Sequence, residues 1–411
     1  MLIYAPNLHE GFDPCLVVIF LLALFCIAVG GYWSGLVTID RIKQKQEKEQ
    51  KKKAKRTDYT QSSEEGRKEK KEEEEDEEEN LDITIPAVLI FFVLVCGFLV
   101  LLYFFYDYLV YVIISMFCIA GSIGLFCCIV PLWKYIPLSL RCPKLPCSKS
   151  QPEIKYIILY CICATVAIVW AIKRHESYAW VLQDILGVAF CINMLKTIQV
   201  PNLKICSILL ILLFVYDIFF VFITPYFTKS GESIMVKVAT GGSSKSSEKL
   251  PMVFIVPRLT SPYSSCVNQP SMLGFGDVIV PGLLIGYNHG IDLKVNSRKV
   301  YFIATVIGYA VGMVITFVAL EIMKTGQPAL LYLVPCTLIT TFVIGCIRGE
   351  VKLLWNGVQK QHNKSENDDS LQSHSQPKNT DPDTTSINQV NINVNGSSTT
   401  IDSENKSLIR K

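Results

Sequence analysis

Long apolar runs separated by short polar segments dominate the chain between residues 15 and 347. Each run approaches the ~20 residues that an α-helix needs to cross the hydrocarbon core of a bilayer. No soluble core could bury so many apolar helices, so the pattern predicts an all-α polytopic membrane protein. We predict nine transmembrane helices, at 15–37, 83–106, 108–132, 156–172, 178–196, 205–227, 270–288, 300–320 and 328–347. The fifth is the least hydrophobic, because it carries Gln183, Asp184, Asn193 and Lys196, and without it the count would be eight.

Charge is concentrated between the first two runs and in the tail. Residues 40–82 hold thirteen Lys and Arg, whereas residues 1–14 hold none. Because basic loops stay on the cytosolic side of membranes, the N-terminus is predicted to be lumenal and the C-terminus cytosolic. The first run also lacks a basic segment before it, so we interpret it as a span and not as a cleaved signal peptide.

The segments between the runs complete the predicted organisation. A Lys-rich stretch followed by KKEEEEDEEE, whose acidic part is 72–79, predicts a solvated, disordered or partly helical linker, whose basic half is a candidate tether. The predicted parts are a short lumenal N-terminus (1–14), the first helix (15–37), a charged cytosolic linker (38–82), helices two to six (83–227), a lumenal loop (228–269), helices seven to nine (270–348) and a disordered cytosolic tail (349–411).

The lumenal loop contains two β-rich runs, ESIMVKVAT and KLPMVFIVPRL, around the turn sequence GGSSKSSE. This pattern predicts a β-hairpin. Two interpretations stay open: an exposed strand edge that pairs with an extended substrate, or a capping hairpin without a part in chemistry.

Cysteines and the tail add little chemistry. Most of the fifteen cysteines lie in apolar runs, so no disulfide framework is predicted, and Cys142 and Cys147 lack the further ligands that a zinc site needs. The tail sequence ENKSLI, with Glu404, Leu408 and Ile409, resembles the acidic dileucine signals that cytosolic adaptors read when they sort proteins to endosomes and lysosomes.

Two acids lie inside predicted spans, Asp217 in the sixth and Asp277 in the seventh. An ionisable group at membrane depth is costly and therefore indicates a functional site. Counting along antiparallel helices places these carboxyls roughly 15 and 10 Å below the lumenal boundary. We therefore expect them to face each other at one level, as an aspartyl dyad.

Such a dyad can hydrolyse a peptide bond without a metal or a cofactor. Two neighbouring carboxyls share a proton, so the ionised one can activate water while the protonated one polarises the scissile carbonyl. Gly274 and Gly276, on either side of Phe275, would let a substrate backbone approach, although small residues also simply permit close helix packing.

The motifs Tyr216–Asp217, LGFGD ending at Asp277, and Gln327–Pro328–Ala329–Leu330 occur in this order, each in a predicted span. With GGYWSGL and WVLQDILGVAFCINMLKT, they resemble the GxGD intramembrane aspartyl proteases of the signal-peptide-peptidase-like type. The resemblance implies a nine-span fold, catalytic Asp217 and Asp277, and an active site shaped by Tyr216, the GxGD segment and residues 327–330.

The resemblance is strongest to a branch that carries a lumenal protease-associated domain ahead of the first span. Residues 1–14 cannot hold that domain, so we expect it to be absent here. The resemblance implies that the partners are transmembrane helices of type II membrane proteins and membrane stubs within the lipid bilayer. Homo-oligomers and sorting adaptors are further candidate partners, and no nucleic acid is expected. Endosomes and lysosomes are favoured, with the Golgi, endoplasmic reticulum and plasma membrane left open.

Three alternatives remain at this point. A presenilin-like protease shares the motifs but has the opposite orientation, against which the charge distribution argues. A proton-coupled transporter could also use paired membrane acids, but the sequence lacks internal repeats. A catalytically silent protein that binds membrane helices would not need both acids.

Overall fold

The computed structural model describes residues 2–3, 14–59, 85–133, 154–228, 233–235, 238, 248–257, 270–323 and 326–355. The predictions for Cys142 and Cys147, for the acidic stretch 72–79 and for the tail signal at Glu404, Leu408 and Ile409 lie outside these residues.

Helices make up most of the described structure. They are α1 (Pro14–Tyr59), α2 (Ile85–Phe104), α3 (Tyr106–Trp133), α4 (Ile154–Lys173), α5 (Ala179–Thr197), α6 (Leu203–Ile218), α7 (Gly276–Lys294), α8 (Val300–Met323) and α9 (Leu330–Arg348). A π-helical turn, Phe219–Ile223, and a 3₁₀ turn, Thr224–Tyr226, follow α6. The remaining elements are the short strands β1 (Leu2–Ile3), β2 (Val253–Val256) and β3 (Ser271–Gly274).

Eight helical segments in the described residues are long and apolar enough to cross a membrane. They correspond to every predicted span except the seventh. Large apolar side chains on their outer faces are exposed, such as Val93 at 68% and Ile347 at 79%, as expected for surfaces in contact with lipid. The prediction of a multi-pass helical membrane protein is confirmed, whereas nine spans and their orientation stay predictions.

α7 lies at the centre of the helix bundle. It contacts α1, α5, α6, α8 and α9, and its residues 281–292 are all buried. Because protein and not lipid surrounds it, α7 can carry polar side chains such as Asn288, His289 and Asp292. Two of them are bonded to neighbouring helices: Asn288 donates to Thr341 Oγ1 at 2.8 Å, and Asp292 accepts from the N–H of Phe302 at 2.8 Å. Enclosure by protein therefore explains why α7 is more polar than the eight helical segments that are apolar enough to cross a membrane.

The three strands form one antiparallel sheet in the order β1-β3-β2. In its register Phe254 lies opposite Leu273, and Leu2 lies opposite Leu273 on the other side. These strands lie at one end of the helix bundle, the sheet end. β3 is thus the central strand, and it leads directly into α7.

The predicted hairpin is corrected by this sheet. KLPMVFIVPRL does form a strand, but its partner is β3 and not ESIMVKVAT, whose described residues Ile234, Met235 and Val238 are helical. Two boundaries also differ from the prediction. The predicted seventh span, 270–288, begins as strand β3, so its helix starts only at Gly276, and α1 continues through the basic half of the linker to Tyr59.

At the sheet end, Glu248 ties the segment before β2 to α3 and to Arg174, the first residue after α4. Its carboxylate accepts from Nε of Arg174 at 2.9 Å, and its backbone carbonyl accepts from the Tyr106 hydroxyl at 2.9 Å. The hydrogen bonds from Arg174 lower the pKa of Glu248 below its ordinary value. His175, to which the sequence suggested no partner, lies 3.3 Å from the same carboxylate.

At the opposite end, the chain turns back after α9. Gly349 adopts a left-handed conformation with φ of 66°, which ends the helix. Glu350 then accepts from the Tyr301 hydroxyl at 2.7 Å, and the buried Leu354 accepts from the Tyr287 hydroxyl at 2.7 Å through its carbonyl. These contacts hold the end of α9 against α7 and α8.

Candidate active site

Asp217 lies in the last turn of α6 and is 1% exposed. Its Oδ2 atom accepts a hydrogen bond from the backbone N–H of Leu330 at 3.1 Å. Its Oδ1 atom has no hydrogen-bond partner within the described part of the chain. One carboxylate oxygen is therefore fixed by the start of α9, whereas the other is buried without a hydrogen bond from a described residue.

The helix widens immediately after Asp217, where the π-helical turn Phe219–Ile223 begins. Pro225 cannot donate an N–H, and the Thr224 hydroxyl donates to the carbonyl of Phe220 at 2.7 Å. Turns of this kind are rare and occur frequently at functional sites. Here the wider turn ends the regular helix next to the carboxyl group.

Asp277 lies in the first turn of α7 and is 3% exposed. Its carboxyl group interacts electrostatically with that of Asp217, and α6 and α7 are in contact. The Tyr309 hydroxyl of α8 donates to the backbone carbonyl of Asp277 at 3.4 Å. The structure therefore brings together the two acids that the sequence singled out.

Residues 327–330 approach the site as the chain enters α9. Gln327 and Ala329 are fully buried, and Pro328 contributes its carbonyl to the N–H of Leu331 at 3.1 Å. The Leu330 N–H is one of the donors that a helix start leaves without a partner, and Asp217 supplies the acceptor. This segment thus contacts the dyad through its backbone.

Tyr216 precedes Asp217 on α6, and its ring packs at 4.7 Å against that of Phe220. The two rings are tilted by 52°, and Phe220 belongs to the π-helical turn that follows. The structure therefore places Tyr216 beside the site, with its ring directed along α6.

Within the GxGD segment, Phe275 is packed against other side chains and Gly276 is exposed. Phe275 is 3% exposed and packs against Phe254 at 4.7 Å, whereas Gly276 is exposed. A Cβ atom built on Gly276 would meet no described atom within 4 Å. Gly274 ends β3 opposite Val253. Among the described residues, nothing therefore occupies the position beside Asp277 where a side chain at 276 would project.

The site offers two buried carboxyl groups and the backbone N–H of Leu330. Among the described residues, no group of three His, Cys, Asp or Glu side chains is arranged to hold a metal ion. The arrangement can exchange protons with a bound water molecule and with a substrate carbonyl.

Comparison with known proteins places this site in a family. Residues 73–361 match the family described as Signal peptide peptidase. The matched segment covers more than half of the chain and includes both acids and residues 327–330. The chain belongs to the signal peptide peptidase family. The resemblance seen in the sequence motifs is thereby confirmed.

Curated members of the signal peptide peptidase family align with most of this chain. Signal peptide peptidase-like 2B of Gallus gallus is 48% identical over 360 residues, 86% of this chain and 57% of its own length. Signal peptide peptidase-like 2A of Homo sapiens is 47% identical over 357 residues, 86% of this chain and 64% of its own length. Signal peptide peptidase-like 2C of Mus musculus is 41% identical, covering 86% of this chain and 52% of its own length. The chain thus spans between about half and two thirds of these relatives.

Two polar residues of this signal peptide peptidase family member were not among the predicted site residues, although Asp184 was a candidate for bonding a neighbouring helix or supporting the dyad. Gln183 and Asp184 of α5 are buried and both bond to the backbone of residues 251–255. Their position in the least hydrophobic span was the available signal. The sequence could not identify their partner, because β2 lies about 70 residues further along the chain.

Proposed function

We propose that the protein is an intramembrane aspartyl endopeptidase that hydrolyses peptide bonds in transmembrane segments. The observation that carries this proposal is the pair of buried acids, Asp217 and Asp277, on two helices that pack against each other. Membership of the signal peptide peptidase family supports it. In this proposal the two aspartates are the catalytic residues.

The proposed reaction needs only water and the two carboxyl groups. The pair shares one proton, because two ionised carboxylates that lie close together and are buried away from water would repel each other. The ionised carboxyl removes a proton from water while the protonated one donates to the substrate carbonyl, which gives a tetrahedral diol. Proton transfer to the amide nitrogen then breaks the C–N bond and releases an amine and a carboxylic acid.

The proposed substrate approaches in an extended conformation beside Asp277. The free space at Gly276 supports this approach, since it is next to the carboxyl and a backbone could enter it. A substrate strand could pair with β3 by replacing β1 at that edge of the sheet. In this proposal, Tyr216, Phe275 and residues 327–330 shape the site around the dyad.

Further parts of the proposal concern substrates, orientation and location. We propose nine spans with a lumenal N-terminus, which orients the site for type II membrane proteins and membrane stubs. Homo-oligomers, adaptor binding at Glu404, Leu408 and Ile409, and residence in endosomes or lysosomes are proposed from the sequence alone.

A cleavage assay with purified protein in detergent tests the function. The substrate is a type II membrane stub, and wild type is compared with Asp217→Ala and Asp277→Ala, with and without a transition-state-analogue inhibitor of aspartyl proteases. We expect product from wild type only, and inhibition of that product. Equal product from all three proteins would remove these aspartates from the reaction.

A further inference from the structure

β2 has two edges, and within the described part of the chain only one of them pairs with a strand. The Met252 carbonyl accepts from the N–H of Phe275 at 3.2 Å, and Phe254 lies opposite Leu273. Because successive residues of a strand direct their backbone groups to opposite edges, Val253 and Ile255 present theirs away from β3. Those groups lie against α5 and need partners there.

Two side chains of α5 supply these partners. The Nε2 atom of Gln183 donates to the carbonyls of Pro251 and Val253, at 3.3 and 2.9 Å. The Oδ1 atom of Asp184 accepts from the N–H of Ile255 at 3.0 Å. Both side chains are buried, at 8% and 5% exposure. α5 therefore takes the place of a fourth strand along this edge of the sheet.

The same part of α5 also contacts the GxGD segment. Gly187 lies one turn beyond Asp184, and a Cβ atom there would lie only 2.5 Å from Cζ of Phe275. The ring of Phe275 packs in turn against Phe254 of β2. Helix, strand and GxGD segment are thus locked together by contacts on one side of the site.

The two acids are consequently held by different parts of the protein. Asp217 is held by α6 and by the Leu330 N–H of α9. Asp277 follows β3 by three residues, so its place depends on the sheet. A shift of β2 along α5 would move Asp277 relative to Asp217.

We propose that Gln183 and Asp184 are positioning residues for the dyad. An amide donor at 183 and an acceptor at 184 fix β2, and β2 fixes β3, Phe275 and the carboxyl of Asp277. They act through the backbone of β2 and not on the substrate. This proposal rests on the proposed protease function.

Isosteric variants separate hydrogen bonding from packing. Gln183→Met keeps the length of the side chain but removes the donor, and Asp184→Leu removes the acceptor, whereas Asp184→Asn keeps an oxygen that accepts from Ile255. Asn193→Leu, on the same helix and with no role in holding β2, is the matched control. We expect kcat per folded molecule to fall by roughly 10- to 100-fold in Gln183→Met and Asp184→Leu. Asp184→Asn and Asn193→Leu should stay within about threefold of wild type.

Hydrogen exchange of the same variants gives a measurement that does not depend on catalysis. Gln183→Met and Asp184→Leu should lose amide protection at 253–256 and 271–275, with the other helices unchanged, while Asp184→Asn retains it. Unchanged protection of these residues in Gln183→Met would overturn the proposal. So would a loss of activity in Asn193→Leu as large as in Gln183→Met.

The two proposals fail in different ways. If wild type cleaves, Asp217→Ala does not, and Gln183→Met cleaves at the wild-type rate, the positioning role is wrong and the protease function stands. If wild type and Asp217→Ala behave alike, the protease function is wrong. In that case the exchange measurement still decides whether α5 holds the sheet.

Discussion

The backbone N–H of Leu330 bonds to Oδ2 of Asp217 across 113 residues of sequence. Because the donor is backbone, the side chain of Leu330 should matter less than the path of the chain. Leu330→Met conserves volume and should keep cleavage within about threefold of wild type. Ala329→Leu places a large side chain at a fully buried position and should shift the donor, with a loss of at least roughly tenfold. Cleavage rates of the purified variants test this.

The comparison has a clear contrary outcome. If Leu330→Met loses as much activity as Ala329→Leu, the side chain of Leu330 and not its N–H serves the site.

Substitution by alanine should affect mainly the cleavage rate at Gly276 and mainly the stability of the fold at Gly187. A Cβ at Gly276 meets nothing within 4 Å, so Gly276→Ala should shift the unfolding temperature by less than about 2 °C. Its methyl group would occupy the space beside Asp277, and cleavage should fall roughly tenfold. At Gly187 the Cβ would collide with Phe275, and overpacking should cost about 1–3 kcal/mol of stability.

Thermal unfolding and cleavage rates measured on both variants check this pair. An inactive, destabilised Gly276→Ala protein would mean that the glycine serves packing and not substrate approach.

The ion pair of Glu248 and Arg174 predicts a pH dependence at the sheet end. The pKa of Glu248 is lowered by its hydrogen bonds from Arg174, so the folded state is stabilised above the ordinary glutamate value of 4.5 and loses this contribution as the pH falls through the lower folded value. Glu248→Gln should therefore lower the unfolding temperature at pH 7, and the difference from wild type should vanish well below pH 4.5.

Glu176 provides the control for this measurement. It is an exposed glutamate 3.7 Å from Lys173, and exposed pairs contribute little. Thermal unfolding of Glu176→Gln should match wild type at both pH values. A difference between Glu248→Gln and wild type that is equal at pH 7 and pH 3 would exclude the charge as its cause.

Gly349 ends α9 in a conformation that most residues avoid. With φ of 66°, Gly349→Ala should destabilise the protein by about 1–2 kcal/mol, while Gly349→Asn should lose less because asparagine tolerates this region. Thermal unfolding ranks the three proteins. Equal stability of Gly349→Ala and wild type would show that this turn does not depend on the left-handed conformation.

Much of the fold follows from local sequence pattern. Runs such as 83–106 are apolar because they face lipid, and their helices end within a few residues of the prediction. The seventh span is different, because Ser271–Gly274 is apolar but pairs with Val253–Val256. A hydropathy profile reports the composition of a segment and not its pairing with another segment. It therefore predicted one helix where the structure has a strand followed by a helix.

The two acids of the candidate site were predictable from the sequence, whereas the contacts that hold them in place were not. Asp217 and Asp277 were recognisable from the cost of an acid in an apolar span. The contacts that hold them were not, since the Leu330 N–H has no side-chain signature. Gln183 and Asp184 were visible as polar residues, but their function depends on the edge of β2, which only the folded chain creates.

The proposed reaction is carried by Asp217 and Asp277, whereas Asp184 takes no direct part in it. Its most direct test replaces Asp217, Asp277 and Asp184 one at a time by asparagine, which conserves shape, and measures cleavage of a type II stub in lipid vesicles by mass spectrometry. We predict no product from Asp217→Asn or Asp277→Asn and near wild-type product from Asp184→Asn, with all three proteins folded. Product from a folded Asp217→Asn or Asp277→Asn protein would contradict the dyad.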